Sequence, residues 1–171
     1  AQVGIVMEIN EEQTMLLETA MSFCREKSPV SAVREGIAKV ATHDGALWQE
    51  MVDLGWLSVA VPEQIGGLGM GIAGVVPIIE SMGRYLVSSP YLATTLAIHS
   101  IASSGSEAQQ QQWLPELASG AIGTIALTEA EGSWLLDEVA CTATGDTEIR
   151  LSGKKCQVLD LQEADFVVVS V

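Results

Sequence analysis

Basic side chains are scarce in this sequence: eight Lys and Arg stand against 22 Asp and Glu, for a net charge of −14 over 171 residues. Nucleic acid and anionic lipid are held by clustered Lys and Arg that displace counterions, so this balance opposes both partners. The same acidity gives no general attraction for a polyanionic small molecule, which would have to be met by local donors or by a basic partner. Histidine is limited to His43 and His99, and the three cysteines, Cys24, Cys141 and Cys156, lie far apart with no C-x-x-C pair. A zinc site is therefore not expected, and buried free thiols in a reducing compartment are the simplest account. No apolar run reaches the roughly 20 residues that a membrane span needs. The longest, Gly71–Ile79, is interrupted by Gly74 and Pro77. Ala1–Val6 carries no basic residue and does not read as a secretory leader. A soluble, cytosolic protein is expected.

What is abundant is apolar surface: 48% of the residues are hydrophobic and 18% charged, enough for a packed core and too little charge for disorder. The first two-thirds carries helical signals. Asn10 with Gln13 three residues later forms a capping-box pattern, and Met15, Leu16, Ala20 and Phe23 follow at helical spacing up to Ser28-Pro29. A short second helix is expected over Ala32–Val40. Asp44 is placed to cap a third that presents Leu47, Trp48, Met51 and Leu54 on one face and stops at Gly55. Leu57–Val61 reads as extended, and a glycine-rich loop, 62–69, follows it. A helix is expected from about Ala73 to Leu86, with Pro77 near its first turn. Leu92, Leu96, Ile98 and Ile101 mark the next, ending near Gly105. Ser106 and Gln109 form a second capping box, opening a helix that ends at Ser119-Gly120.

After Gly120 the apolar period changes from helical to alternating. Ala121–Leu127 reads as a strand; Val139, Cys141 and Ala143 alternate with polar residues, turn at Gly145-Asp146, and resume at Ile149 and Leu151. Phe166–Val171 is a further strand. The expected class is α+β: an all-α domain over 1–120, then the start of an antiparallel β-domain over 121–171. An apolar strand at a terminus exposes pairing edges, so further chain or another subunit is expected to complete the sheet.

The order of short motifs resembles the acyl-CoA dehydrogenase family. Leu54-Gly55-Trp56-Leu57 leads to Val61-Pro62-Glu63-Gln64-Ile65-Gly66-Gly67-Leu68-Gly69; Glu80-Ser81-Met82-Gly83-Arg84 and Ser89-Pro90-Tyr91-Leu92 follow. Next come Gly105-Ser106-Glu107-Ala108-Gln109, Trp113-Leu114-Pro115-Glu116-Leu117-Ala118-Ser119-Gly120, and Ala126-Leu127-Thr128-Glu129. Leu151-Ser152-Gly153-Lys154-Lys155 and Ala164-Asp165-Phe166-Val167-Val168-Val169 complete the series, which covers nearly the whole chain.

The resemblance implies FAD-dependent α,β-desaturation of an acyl-CoA thioester, in which a base removes the α-proton while the β-hydrogen leaves as hydride to the flavin. In this family the base is a glutamate of the C-terminal helical domain, so no catalytic residue is assigned here. The resemblance places Leu127 and Thr128 against the flavin ring and Ser133, after Gly132, beside cofactor and ligand. Trp134 stands where the family has an acidic residue and is a candidate ligand contact. The positions at which the family often has Trp and then Thr or Ser beside the flavin are occupied by Gln157 and Leu159. Implied partners are the acyl-CoA substrate, a C-terminal domain or partner subunit, and further copies in a homo- or hetero-oligomer. Two other readings stay open: a non-catalytic subunit of a heteromeric acyl-CoA dehydrogenase, and a helical interaction module without a small-molecule ligand.

Three sharper signals weigh less. Gly69-Met70-Gly71-Ile72-Ala73-Gly74 satisfies G-x-G-x-x-G, but Pro77 and the long spacing from the preceding extended segment oppose a dinucleotide turn. Glu129 and Glu131 make a tight acidic pair but lack a histidine partner for acid–base work. Glu63, beside Pro62 and the glycines, fits a turn-holding role better than a catalytic one.

Overall fold

The computed structural model describes residues 10–39, 43–133, 135–146 and 148–171. Among the described residues six α-helices come first: α1 Glu11–Lys27, α2 Val30–Lys39, α3 Gly45–Asp53, α4 Gly71–Tyr85, α5 Tyr91–Ser104 and α6 Glu107–Ala118. Four short strands follow: β1 Gly123–Ala126, β2 Thr142–Thr144, β3 Arg150–Ser152 and β4 Phe166–Val169. The helical and β parts thus divide near residue 120.

The capping chemistry sets the helix starts. Asn10 Oδ1 accepts from Gln13 N at 2.8 Å and Gln13 Oε1 accepts from Asn10 N at 3.1 Å; Ser106 and Gln109 repeat the arrangement at α6. Asp44 Oδ1 accepts from Ala46 N and Leu47 N, satisfying two donors that the first turn of α3 leaves without helical partners. The expected short helix over Ala32–Val40 begins two residues earlier, and Val40 lies outside the described residues.

Two expectations are corrected. Leu57–Val61 is wound rather than extended. Gly55, in the left-handed region at φ 73°, closes α3, and bonds from Ser58 N to Gly55 O, Val59 N to Trp56 O and Val61 N to Ser58 O then coil the chain tightly. Trp56, Leu57, Val59 and Val61 are all buried, and a short apolar run buried on every side carries no period that separates strand from turn. Pro77 is also not in a first turn: α4 starts at Gly71, so the ring sits well inside the helix and removes the donor for the Ala73 carbonyl.

The core lies between α1, the 56–61 segment, α4, α5 and α6, with Trp56 at its centre. Its ring meets Phe23 edge-on at 5.0 Å and Tyr91 at 6.2 Å, and Tyr91 Oη donates to the Trp56 carbonyl at 3.1 Å. Burial pushes the Tyr91 phenol well above its ordinary pKa and the Cys24 thiol up to about 11. Met15, Leu54 and Leu92, which share the apolar spacing of their helices, are exposed.

The β part contains both strand polarities. β2 and β3 form the expected antiparallel hairpin, with Ala143 opposite Leu151. β1 and β4 pair in parallel, with Gly123 opposite Phe166 and Ala126 opposite Val169. A parallel pair requires a long crossover, which the stretch 127–165 supplies. Thr94 on α5 joins the layers: its Oγ1 donates to Gly123 O at 3.3 Å and accepts from Gly123 N at 3.2 Å. Trp113 on α6 packs edge-on against Phe166 of β4 at 4.8 Å.

Candidate functional site

Beyond Ala126 the chain leaves β1 as Leu127-Thr128-Glu129, and each of these residues is held by the segment around Lys155. Cys156 N donates to Thr128 O at 2.7 Å. Lys155 Nζ donates to Leu127 O at 3.3 Å, to Glu129 Oε1 at 2.8 Å and to Ser170 Oγ at 2.8 Å. The ammonium therefore has an acceptor for each of its three protons, which is what burial of the charge requires.

The Glu129 carboxylate is equally engaged. It accepts from Lys155, from Ala140 N at 3.0 Å and from Cys141 N at 3.0 Å. The Lys155 hydrogen bond, followed by those from Cys141 and Ala140, lowers its pKa to about 2. Neighbouring Cys141 is pushed up by burial and by the Glu129 charge. A carboxylate so tied is no general base; it anchors the hairpin to the end of β1.

The side chains of Leu127 and Thr128 are half-buried, and the Thr128 hydroxyl has no hydrogen-bond partner among the described residues. Ser133 faces another way: its Oγ donates to Glu138 Oε2 at 2.8 Å and accepts from Leu135 N at 3.3 Å, while its carbonyl accepts from Glu129 N. Gly132, at φ 80°, makes the turn that brings Ser133 O back to Glu129 N. Trp134 lies outside the described residues.

Gln157 follows directly on the Cys156–Thr128 bond, in the left-handed region at φ 53°, with its side chain exposed. Leu159 is fixed through its carbonyl, which accepts from the buried Thr124 Oγ1 at 2.7 Å, while its side chain is 54% exposed. Leu127, Thr128 and Gln157 are thereby drawn to one locality through the 155–156 segment. Among the described residues, the hydrogen bond from Glu129 N to Ser133 O is what links Ser133 to it. Lys155 lies in the Leu151–Lys155 motif beside Lys154, and nothing local in the sequence distinguishes it, since its partner Glu129 is 26 residues away along the chain.

The glycine-rich loop does not form an anion cradle. Its amides are spent on the wound segment before it: Leu68 N on Ser58 O at 2.9 Å, Gly69 N on Val61 O at 2.9 Å and Met70 N on Val59 O at 3.0 Å. Glu63 is exposed, and its side chain lies beside Gly69. Among the described residues, no group of three or more His, Cys, Asp and Glu is placed to hold a metal ion, and no helix is long and apolar enough to cross a membrane.

Residues 10–121 match the family model for the acyl-CoA dehydrogenase N-terminal domain. The acyl-CoA dehydrogenase IpdE2 of Mycobacterium tuberculosis is 36% identical over 119 residues, covering 68% of this chain and 37% of that protein. Mitochondrial isovaleryl-CoA dehydrogenase of Bos taurus is 30% identical over 167 residues, covering 94% of this chain and 39% of that protein. Among solved structures, the ChsE4-ChsE5 complex from Mycobacterium tuberculosis superposes with a TM-score of 0.82 at 30% identity, over 96% of this chain and 45% of the matched one. A Tcur3481-Tcur3483 steroid ACAD variant gives a TM-score of 0.84 at 31% identity, over 93% of this chain and 44% of the matched one. The chain spans less than half the length of these relatives. With the family's N-terminal domain matched over most of its length and its fold shared with solved members, the chain belongs to the acyl-CoA dehydrogenase family.

Proposed function

We propose that this chain forms one wall of the active-site cleft of a flavin-dependent acyl-CoA dehydrogenase, an oxidoreductase that introduces an α,β double bond into an acyl-CoA thioester. The observation that carries the reading is the anchoring of Leu127, Thr128 and Glu129 by Lys155 and Cys156, which leaves the half-buried Thr128 hydroxyl without a protein partner among the described residues. A fixed, neutral hydrogen-bonding group at a strand end suits the edge of a flavin ring, because it orients the ring without adding net charge.

In this reading Leu127 and Thr128 border FAD, and Gln157 and Leu159 flank it from the neighbouring segment. Ser133 and Trp134 lie toward the acyl-CoA ligand. FAD, when bound, supplies the electron sink for the hydrogen lost from the β-carbon. This chain's residues bind and orient; none is assigned as the catalytic base, and the chain alone is expected to be inactive. The base comes from a C-terminal domain or a partner subunit, within a homo- or hetero-oligomer that serves cytoplasmic lipid catabolism.

A second reading, a non-catalytic partner subunit of a heteromeric enzyme, is favoured by a specific observation. Gln157 and Leu159 offer neither the aromatic face nor the hydroxyl that the resemblance leads one to expect, and both side chains are exposed. The ChsE4-ChsE5 structure is itself a complex of two named components.

The visible absorption spectrum of the purified chain with added FAD tests the first reading. A saturable change in the flavin bands is expected. A spectrum identical to that of free FAD at protein excess counts against it and favours an interaction module.

A further inference from the structure

Lys155 is one of only eight basic residues in a chain of net charge −14, yet its side chain is just 8% exposed. Burying a cation is costly unless it is fully paired, so a chain this poor in cations that buries one is using it for something local. Three other groups meet at its ammonium. The Leu127 carbonyl marks the exit of β1, the Glu129 carboxylate reaches across to Ala140 and Cys141 before β2, and Ser170 follows β4. Ser170 in turn returns to β1, its N donating to Ala126 O at 3.2 Å. The next residue, Cys156, takes the Thr128 carbonyl. Three consecutive residues are therefore held through their acceptors by two consecutive residues.

We propose that Lys155 is a positioning residue of the cofactor site: its ammonium fixes the 127–129 segment so that Leu127 and Thr128 meet the flavin ring in one orientation. The proposal rests on the flavin reading of the previous section. Lys155 touches neither ligand; it acts through Leu127, Glu129 and Ser170. A compact ammonium with three tetrahedrally disposed donors suits three acceptors in different directions, whereas the planar guanidinium of arginine is built for a fork-shaped partner. Loss of the ammonium would leave the Glu129 carboxylate charged and short of its strongest partner, and the strand exit would be free to shift.

The test is FAD titration of the full chain and its Lys155→Met and Lys155→Arg variants, followed by visible absorption. Amide hydrogen exchange at residues 127–129 and along α5 is measured on the same samples. Lys155→Met is expected to weaken FAD binding by about tenfold or more and to accelerate exchange at 127–129 while leaving α5 protected. Lys155→Arg is expected to recover part of the affinity and part of the perturbation of the flavin bands, which a role confined to global stability would not do. FAD bound by Lys155→Met as tightly as by the natural chain, with the same band shape, overturns the positioning role and leaves the flavin reading intact. Absence of FAD binding by the natural chain overturns both, and the two failures are told apart in that first titration. Should Lys155→Met not fold, Ser170→Ala, which removes one of the three acceptors, is read instead. A loss of about threefold or more supports the proposal, and unchanged affinity overturns it.

Discussion

The side-chain amide of Gln13 donates to the carbonyl of Ala73 at 3.1 Å, and that carbonyl is the acceptor Pro77 deprives of its helical donor. The other end of the same amide accepts from Asn10 N, so one residue caps α1 and repairs α4. Gln13→Ala is expected to destabilise the chain by about 1 kcal/mol. In a Pro77→Ala background the cost should fall, because the new N–H can serve Ala73 itself. Urea melts of the four species measure this coupling; equal costs in both backgrounds would show that the Gln13–Ala73 bond contributes nothing.

Thr94 carries the junction between the helical and β parts. Its hydroxyl serves both backbone groups of Gly123, and both residues are buried. Thr94→Val keeps the shape but leaves a buried donor and acceptor unpaired, at an expected cost of about 2–3 kcal/mol. Thermal melting checks the magnitude, and a change below about 0.5 kcal/mol would mean that water replaces the hydroxyl.

Two glycines should respond in opposite directions. A Cβ at Gly67 would fall against the Val61 backbone carbonyl, whereas at Gly36, within α2, it would meet nothing within 4 Å. Gly67→Ala is expected to destabilise by about 3 kcal/mol, through displacement of backbone that cannot rotate away. Gly36→Ala should stabilise by about 0.5–1 kcal/mol, by reducing the freedom of the unfolded chain. Paired denaturant melts test the sign of each.

Glu129 gives the chain an acid-sensitive tie. Its folded pKa, about 2, lies below the ordinary 4.5, so the unfolded state takes up the proton first as pH falls. The stabilisation is present above pH 4.5 and is lost as pH drops toward 2. Glu129→Gln should therefore lower stability at neutral pH, and the gap from the natural chain should narrow through that window. A gap independent of pH would mean that the carboxylate's charge is not what holds the hairpin.

Much of the helical part was legible because its signals are local. The Asn10–Gln13 and Ser106–Gln109 boxes and the Asp44 cap each lie within one turn of chain, and the structure realises all three. The β2–β3 hairpin was equally readable from alternation about Gly145-Asp146. Long-range pairing was not. That β1 and β4 run parallel depends on where 127–165 carries the chain, which no periodicity records. The winding of Leu57–Val61 was hidden because the run is buried on all sides. Lys155 was passed over for a similar reason: its partners at 127, 129 and 170 come together only in the folded chain.

The central claim is that the end of β1 and the 157–159 segment face a flavin. The most direct measurement is FAD affinity, by visible absorption, of the natural chain and of a Gln157→Trp/Leu159→Thr double variant. The account predicts saturable binding by the natural chain and a gain of about tenfold in the variant, from one aromatic contact and one hydroxyl. Absence of saturable binding by the natural chain, whatever the variant does, would contradict it.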